Sequence, residues 1–240
     1  MNTANTSPDV PSPHTPCVEA YCVEAWKNLQ KDIAETCQDY NRPLREVELI
    51  AVSKTVSTDN IRPLLQAGQR LFAENRVQEA AEKWPNLRQQ FATIELHLIG
   101  PLQSNKTAEA VKLFDVIQTI DREKIAKSLA EEMQKQKKHL PCYIQVNIGL
   151  EPQKSGIAPQ EVIPFVDQCK NHYGLDIIGL MAIPPVQENP GPYFALLAKL
   201  AKKAGLPKLS MGMSNDFKTA LQFGSNVLRI GSALFGTRPV

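Results

Sequence analysis

Lys54 stands directly after an apolar run at residues 49–52, which is typical of a strand buried on both faces. A lysine at the end of such a strand either extends its charged group into solvent or lies in a pocket of low dielectric. Desolvation in a pocket lowers the pKa of an amine, and a neutral amine can attack an aldehyde. Lys54 is therefore a candidate for Schiff-base chemistry, although its position alone favours a solvent-exposed lysine.

Two segments near the C-terminus have the residue types that bind phosphate. Gly212 and Ser214 follow one predicted strand, and Gly231 and Ser232 follow the next. Glycine lets the backbone approach a ligand closely, and serine hydroxyls lie beside the free amides at a helix start. The loops after the seventh and eighth strands are the usual phosphate site of an α/β barrel. Together with a strand-one lysine, such a site would suit a phosphorylated aldehyde, whereas helix capping is the alternative role for Ser214.

Arg229 lies within the last predicted strand, where its charge would be buried. A buried guanidinium needs a partner, and an aromatic ring nitrogen or a carboxylate can supply one. A structural ion pair and a ligand contact are equally compatible with this position.

Short apolar runs and amphipathic segments alternate along the chain and would position these residues. The predicted strands cover residues 47–52, 71–73, 94–99, 115–119, 142–148, 175–181, 208–211 and 226–230. The predicted helices between them cover residues 58–67, 76–90, 104–112, 122–138, 159–171, 192–204 and 214–223. An amphipathic helix precedes them, with an apolar stripe made of Cys22, Trp26, Leu29, Ile33 and Cys37. The segment 185–207 is short between its strands, so we expect a shortened outer helix there.

Eight strands alternating with helices fit either a closed barrel or an open doubly wound sheet. No G-x-G-x-x-G motif follows the first predicted strand, which argues against a dinucleotide-binding open sheet. We therefore predict an α/β fold, a single (β/α)8 barrel of the TIM type with an extra N-terminal helix, over residues 17–240. Residues 1–16 are polar and rich in proline, so we predict a disordered tail there.

The composition is that of an ordinary globular protein, with 42% hydrophobic and 22% charged residues. A net charge of +2 gives no reason to expect nucleic acid or an anionic membrane as a partner. The N-terminus lacks the pattern of a secretory signal, so we expect a cytoplasmic protein. The five cysteines and four histidines show no metal-ligand spacing, and we expect free thiols and no metal site.

Seven blocks of the sequence, in order, resemble the pyridoxal phosphate homeostasis proteins. The blocks are AVSKT at 51–55, EN-x-VQE at 74–79, HLIGPLQSNK at 97–106, KSG at 154–156, GLMAIP at 179–184, LSMGMS at 209–214 and RIGS-x-LFG at 229–236. The resemblance runs from about residue 20 to the C-terminus. Accidental agreement over the ten residues of HLIGPLQSNK is very improbable. The family is similar in fold to the N-terminal barrel of alanine racemase.

The resemblance implies pyridoxal 5′-phosphate (PLP) as cofactor, attached as an internal aldimine to Lys54. It also implies that Ser214 binds the phosphate together with the backbone around Gly231 and Ser232. Arg229 would face the pyridine nitrogen. Because arginine keeps its proton, that nitrogen would stay unprotonated and the cofactor would be a poor electron sink.

Two further cofactor contacts and two departures follow from the same resemblance. Asn75 would lie at the barrel mouth near the ring, and Met211 would line the pocket wall. The family block usually reads Phe-Gly-Glu-Asn-Tyr, whereas this chain has Ala73 in place of the glycine and Arg76 in place of the tyrosine. Ala73 requires an ordinary φ, and Arg76 replaces an aromatic ring with a charge, so the two substitutions bear on the ring-side wall of the pocket and not on the lysine or the phosphate site.

The resemblance implies a protein that holds and supplies PLP within the cell and so supports vitamin B6, amino-acid and keto-acid balance. Racemases of this fold use a second domain with an acid/base tyrosine; the chain ends at Val240, so we expect no such domain and no catalysis. We expect a monomer that passes PLP to PLP-dependent apo-enzymes. The alternatives are a racemase-like PLP enzyme acting on a small amino acid, and an aldolase-type barrel that uses Lys54 without a cofactor.

Overall fold

A computed structural model describes residues 18–236 of the chain. The predicted tail over residues 1–16 lies outside the described residues, as does Cys17. Within the described part, the four cysteines are buried free thiols. None of the helices described combines the length and the apolar character that a membrane crossing requires.

The described residues form a parallel β-barrel. Its strands are β1 (Glu48–Val52), β2 (Leu71–Glu74), β3 (Glu95–Leu98), β4 (Val116–Ile120), β5 (Cys142–Val146), β6 (Ile177–Ala182), β7 (Lys208–Ser210) and β8 (Val227–Ile230). The strands pair in chain order, and pairing of β1 with β8 closes the barrel. This topology confirms the predicted (β/α)8 barrel.

Helices surround the barrel. They are α1 (Val18–Asp39), α2 (Thr58–Gln66), α3 (Val77–Gln90), α4 (Thr107–Leu113), α5 (Glu123–Gln136), α6 (Val162–Asp167), α7 (Gly191–Lys203), α8 (Phe217–Gln222) and α9 (Ser232–Phe235). The extra N-terminal helix α1 packs against α2, α8 and α9, which confirms that part of the prediction. The short helix α9 was not predicted.

Two predicted helices differ from the structure. The segment predicted as one helix over 159–171 contains a 3₁₀ turn, α6 and a π-helix, Gln168–His172. The expectation of a shortened helix within 185–207 is wrong, because α7 has 13 residues. Gly205 lies two residues beyond α7 with a φ of +65°, so the chain turns into β7 without a long connection.

Side chains of the strands alternate between two cores. The side chains that point into the barrel form a small apolar cluster of Ile50, Val52, Ala73, Val116, Tyr143, Met181 and Val227. The side chains that point outward pack against the helices in a much larger cluster. In that outer layer the rings of Phe72 and Trp84 lie with centroids 5.0 Å apart.

Gly212 shapes the chain after β7. Its φ is +99°, and a Cβ atom there would lie 2.6 Å from Cβ of Ala220 and 2.9 Å from Cδ2 of Leu228. Only glycine fits this backbone conformation and this close contact. The tight turn brings the segment that follows, including Ser214, to the C-terminal end of the barrel.

We expect Gly212→Ala to lower the free energy of unfolding by about 2–5 kcal/mol. The left-handed backbone costs an L-residue about 1–2 kcal/mol, and forcing a methyl group into the packed site adds about 1–3 kcal/mol. Gly68→Ala is the matched control, because Gly68 has a φ of +106° but nothing within 4 Å of the added Cβ. Urea denaturation followed by circular dichroism measures both. Equal losses in the two variants would contradict the packing argument.

Candidate functional site

A cavity of about 290 Å³ opens at the C-terminal ends of the strands. Its lining includes Lys54, Asn75, Ser214, Arg229, Gly231 and Ser232. Six of the seven predicted cofactor contacts therefore surround one cavity. Its volume is near the lower end of the range for small-molecule sites, about 300–1,000 Å³.

A larger cavity, of about 700 Å³, lies elsewhere on the barrel. Its lining includes Lys127 and Lys137 from the region of α5, and His172 and Asp176 before β6. It lies where β5 and β6 begin, on the face opposite the predicted contacts. Position and chemistry, rather than volume, identify the candidate site, because barrels of this type carry their active sites where the strands end.

Lys54 follows β1 by two residues and is half-buried at the cavity. The chain there makes a tight turn, in which the Val56 N–H donates to the Ser53 carbonyl oxygen over 3.0 Å. Thr55 lies within the turn at a φ of +61°, which is rare for a β-branched residue. The turn takes the chain out of the strand at the barrel mouth and places Lys54 in the cavity wall.

Two hydroxyl groups meet between the loops that follow β7 and β8. The Ser232 hydroxyl donates to the Ser214 Oγ over 2.9 Å, and the Ala233 N–H donates to the same oxygen over 3.2 Å. Gly231, which has no side chain, also lines the cavity and leaves its backbone accessible there. Hydroxyls and a backbone amide that converge in this way can bind an anionic oxygen.

Arg229 is the buried cation of the cavity, with 3% of its surface exposed. Burial lowers the pKa of Arg229 to about 10, so it stays charged at neutral pH. Its guanidinium donates to the Ser210 hydroxyl over 2.6 Å and to the Ala182 carbonyl over 2.9 Å. Among the described residues no carboxylate lies within ion-pair distance of Arg229, but the negative charge of Asp216 acts on it from further away and opposes the lowering of its pKa by burial.

A chain of hydrogen bonds leads from Arg229 through the barrel interior. The Ser210 hydroxyl donates to Gln118 Oε1 over 2.6 Å, and the Gln118 amide meets Nδ1 of His97 at 2.9 Å. Nδ1 of His97 is therefore the acceptor, and its Nε2–H donates to Glu95 over 2.7 Å. This hydrogen bond lowers the pKa of Glu95.

Sequence analysis missed Ser210, Gln118 and His97 as a group. Their signal was present, because each is a polar residue inside a predicted strand, and buried polar groups require partners. Nothing in the sequence indicated that the partners would be one another.

Asn75 lies directly after β2, at the cavity. Its side-chain oxygen is shielded from solvent and accepts no hydrogen bond from the described residues. The backbone of Gly100 presses against it, since a Cβ atom at residue 100 would lie 2.0 Å from the Asn75 carbonyl oxygen. Gly100 thus allows the chain after β3 to pack against Asn75 at the barrel mouth. There the side-chain oxygen of Asn75 can accept a hydrogen bond from a ligand.

The prediction that Met211 lines the pocket is wrong. Met211 is fully buried in the outer core, between the sheet and the helices. Because side chains alternate along a strand, the inward position of Ser210 turns Met211 outward. Met213, two residues further on, lines the cavity instead.

The two departures from the family pattern affect the site differently. Ala73 is fully buried in the inner apolar cluster, with an ordinary φ. Arg76 is exposed and lines, with Lys106, a neighbouring cavity of about 420 Å³ that shares Asn75 with the candidate site. The charge at residue 76 therefore lies beside the candidate site and does not line it.

Comparisons with known proteins agree on one family. Residues 28–239 match the family described as alanine racemase, N-terminal domain. A protein of Pasteurella multocida named pyridoxal phosphate homeostasis protein is 41% identical over 220 residues, which cover 88% of this chain and 94% of that protein. A protein of the same name from Escherichia coli is 38% identical, covering 82% of this chain and 88% of that protein.

Solved structures show the same fold. PipY of Synechococcus elongatus without PLP superposes with a TM-score of 0.80 at 33% identity, covering 90% of this chain and all of that chain. PipY with PLP bound gives a TM-score of 0.78 at the same identity and coverage. Alanine racemase of Clostridium difficile, at 15% identity and a TM-score of 0.70, shares the fold over 92% of this chain and 57% of its own.

Proposed function

The chain belongs to the pyridoxal phosphate homeostasis proteins, within the alanine racemase N-terminal domain family, and on this basis we propose that it holds and supplies PLP through the cavity at the barrel mouth. When bound, PLP supplies an aldehyde that condenses with a lysine amine and releases water. The observation that supports the proposal best is that one cavity is lined by a lysine, a pair of hydroxyls and an arginine whose described hydrogen bonds go to neutral oxygens.

The residues of the cavity fit the three parts of PLP. The hydroxyls of Ser214 and Ser232 would bind the phosphate with the backbone around Gly231, in the loops where barrels of this type bind phosphate. Arg229 would donate a hydrogen bond to the ring nitrogen. The acceptors described for its guanidinium, the Ser210 hydroxyl and the Ala182 carbonyl, are both neutral oxygens. The unpartnered oxygen of Asn75 would accept from a polar group on the ring.

Lys54 is the proposed attachment site, and Lys154 is its competitor in sequence. Lys154 pairs with Glu151 and donates to the Pro184 carbonyl over 3.2 Å, and it is not among the residues that line the cavity. The Lys154 amine would have to break both contacts before it could attack an aldehyde. Lys54 lines the cavity that also contains the two hydroxyls and Arg229.

We also propose that the protein binds PLP without catalysing turnover of amino acids. Among the described residues that line the cavity, only Lys54 and Arg229 carry ionisable side chains. Proton exchange at both faces of an α-carbon requires two acid/base groups, and an arginine does not release its proton. A protein of this kind would act as a monomeric carrier that passes PLP to apo-enzymes.

Borohydride reduction of the PLP-loaded protein, followed by peptide mapping, should place a stable pyridoxyl group on Lys54. The reduction traps the carbon–nitrogen bond between the aldehyde carbon and the attached amine. Lys54→Ala should lose the adduct, and Lys154→Ala should keep it. An adduct on Lys154 in the unmodified protein would refute the assignment.

Replacing Ser214 or Ser232 by alanine should weaken PLP binding by roughly 1.5–3 kcal/mol each, the range for one hydrogen bond to a charged group. Binding should persist in part, because the backbone amides remain. Ser128→Ala is the matched control, since Ser128 also belongs to a hydroxyl pair, with Thr107 at 2.8 Å, away from the cavity. Fluorescence titration with PLP measures all three, and full affinity in the double variant would place the phosphate elsewhere.

The PLP-loaded protein should not exchange the α-proton of D- or L-amino acids in deuterated water at enzymatic rates. Mass spectrometry of the amino acid measures the exchange, with free PLP as the control. Exchange at about 1 per second or faster would falsify the carrier proposal and support a racemase-like enzyme. Exchange at the rate of free PLP, together with transfer of PLP to an added apo-enzyme, is the expected result.

A further inference from the structure

The turn that carries Lys54 is held in a costly conformation. Thr55, the next residue, has a φ of +61°, and a β-branched residue in the left-handed region is strained by about 1–3 kcal/mol. Such a conformation persists only where surrounding contacts determine it. Within the turn, the Val56 N–H donates to the Ser53 carbonyl oxygen over 3.0 Å and the Thr55 hydroxyl donates to the Lys54 carbonyl over 2.6 Å. Contacts from outside the turn add to these two bonds.

Lys83 of α3 contacts both ends of this turn. Its Nζ donates to the Ser53 carbonyl over 2.8 Å and to the Val56 carbonyl over 3.3 Å. The side chain of Lys83 is 11% exposed, which is unusual for a lysine. A buried ammonium group that spans the two ends of a four-residue turn fixes the distance between them.

Glu79 lies one helical turn before Lys83 on α3 and binds the middle of the turn. Its Oε1 accepts a hydrogen bond from the strained Thr55 N–H and lies 2.8 Å from Lys83 Nζ. The carboxylate therefore holds the peptide that joins Lys54 to Thr55 in one orientation.

Glu74, the last residue of β2, binds Lys83 from the side of the barrel wall. Its Oε1 lies 2.7 Å from Lys83 Nζ and accepts from the Ser53 hydroxyl over 2.7 Å and from the Trp84 indole over 3.1 Å. Burial raises the pKa of Glu74, and these three donors oppose the rise. The cluster of Glu74, Glu79 and Lys83 therefore ties the Lys54 turn to both β2 and α3.

We propose that Lys83, held by Glu74 and Glu79, is a positioning residue that fixes the main chain at Lys54 so that its amine meets the aldehyde of PLP. The inference rests on the proposed function of Lys54. Attachment joins the amine nitrogen to the aldehyde carbon and releases the aldehyde oxygen as water, so it needs no redox partner. A displacement of about 1 Å at a reacting group can slow the reaction on the order of a hundredfold. Lys83 does not line the cavity, and its effect passes through the turn.

The test compares two ligands, PLP and pyridoxine 5′-phosphate, which has an alcohol in place of the aldehyde and cannot attach. Lys83→Met should weaken PLP binding about tenfold and leave pyridoxine phosphate binding within about twofold. Lys208→Met is the control, since Lys208 is also part-buried and paired with one glutamate, Glu48 at 2.8 Å, but lies where β7 begins. It should leave both affinities unchanged. Equal loss for both ligands, or no loss for either, would overturn the positioning role.

A second pair of variants tests the strain without leaving Glu74 unpaired. Glu79→Ala removes the acceptor of the Thr55 N–H and should weaken PLP binding selectively. Adding Thr55→Gly should restore most of the loss, because glycine adopts a φ of +61° without strain. Absence of rescue would overturn the proposal even if Lys83→Met fails to fold. If the unmodified protein binds both ligands equally, the proposed attachment at Lys54 is wrong. If the unmodified protein prefers PLP and Lys83→Met keeps that preference, the attachment stands and only the positioning role of Lys83 is wrong.

Discussion

The pairing of the first strand with the last is the constraint on which the site depends. Ile50 of β1 lies opposite Arg229 of β8, and Ala51 lies opposite Ile230. In an open sheet these strands would be the two edges, and Lys54 would be separated from Ser232 by the width of the sheet. Closure makes them neighbours. The cavity is therefore complete only when the barrel has closed through contacts between residues far apart in the sequence, a kind of contact that forms slowly in folding.

Closure also creates an interior that must be filled, and this barrel fills part of it with polar groups. An unsatisfied buried donor or acceptor costs about 1–3 kcal/mol. Arg229, Ser210, Gln118 and His97 avoid that cost by bonding to one another in a fixed order, which ends at the exposed carboxylate of Glu95. The Ser210 hydroxyl, the Gln118 amide and the His97 ring each accept a hydrogen bond from one neighbour and donate one to the next, so the network holds the guanidinium in a single orientation under the cavity.

The sequence predicted the barrel because strands buried on both faces give continuous apolar runs, and each predicted run contains most of one strand. Lys54 and the glycine and serine residues of the last two loops were predicted because they follow such runs, and Arg229 because its charge lies within one. Asn75 came only from the family resemblance. The prediction for Met211 was wrong because a motif identifies a block of residues and does not show which face of the sheet each side chain occupies. Lys83 was missed for another reason: with Glu79 four residues before it, it has the spacing of an exposed helical pair. Its burial depends on Glu74, which only the folded barrel brings beneath it.

Attachment of a cofactor and catalysis with it place different demands on a pocket. Attachment requires a nucleophile and an anion site, and the residues proposed for both lie where β1, β7 and β8 end. Proton transfer at an α-carbon requires in addition a second acid/base group and a ring nitrogen that can accept electron density. With Arg229 at that nitrogen, as proposed, its retained proton stabilises the bound ring and at the same time keeps the nitrogen from being protonated. Arg229 would then contribute to the retention of PLP and also make the bound ring a weak electron sink.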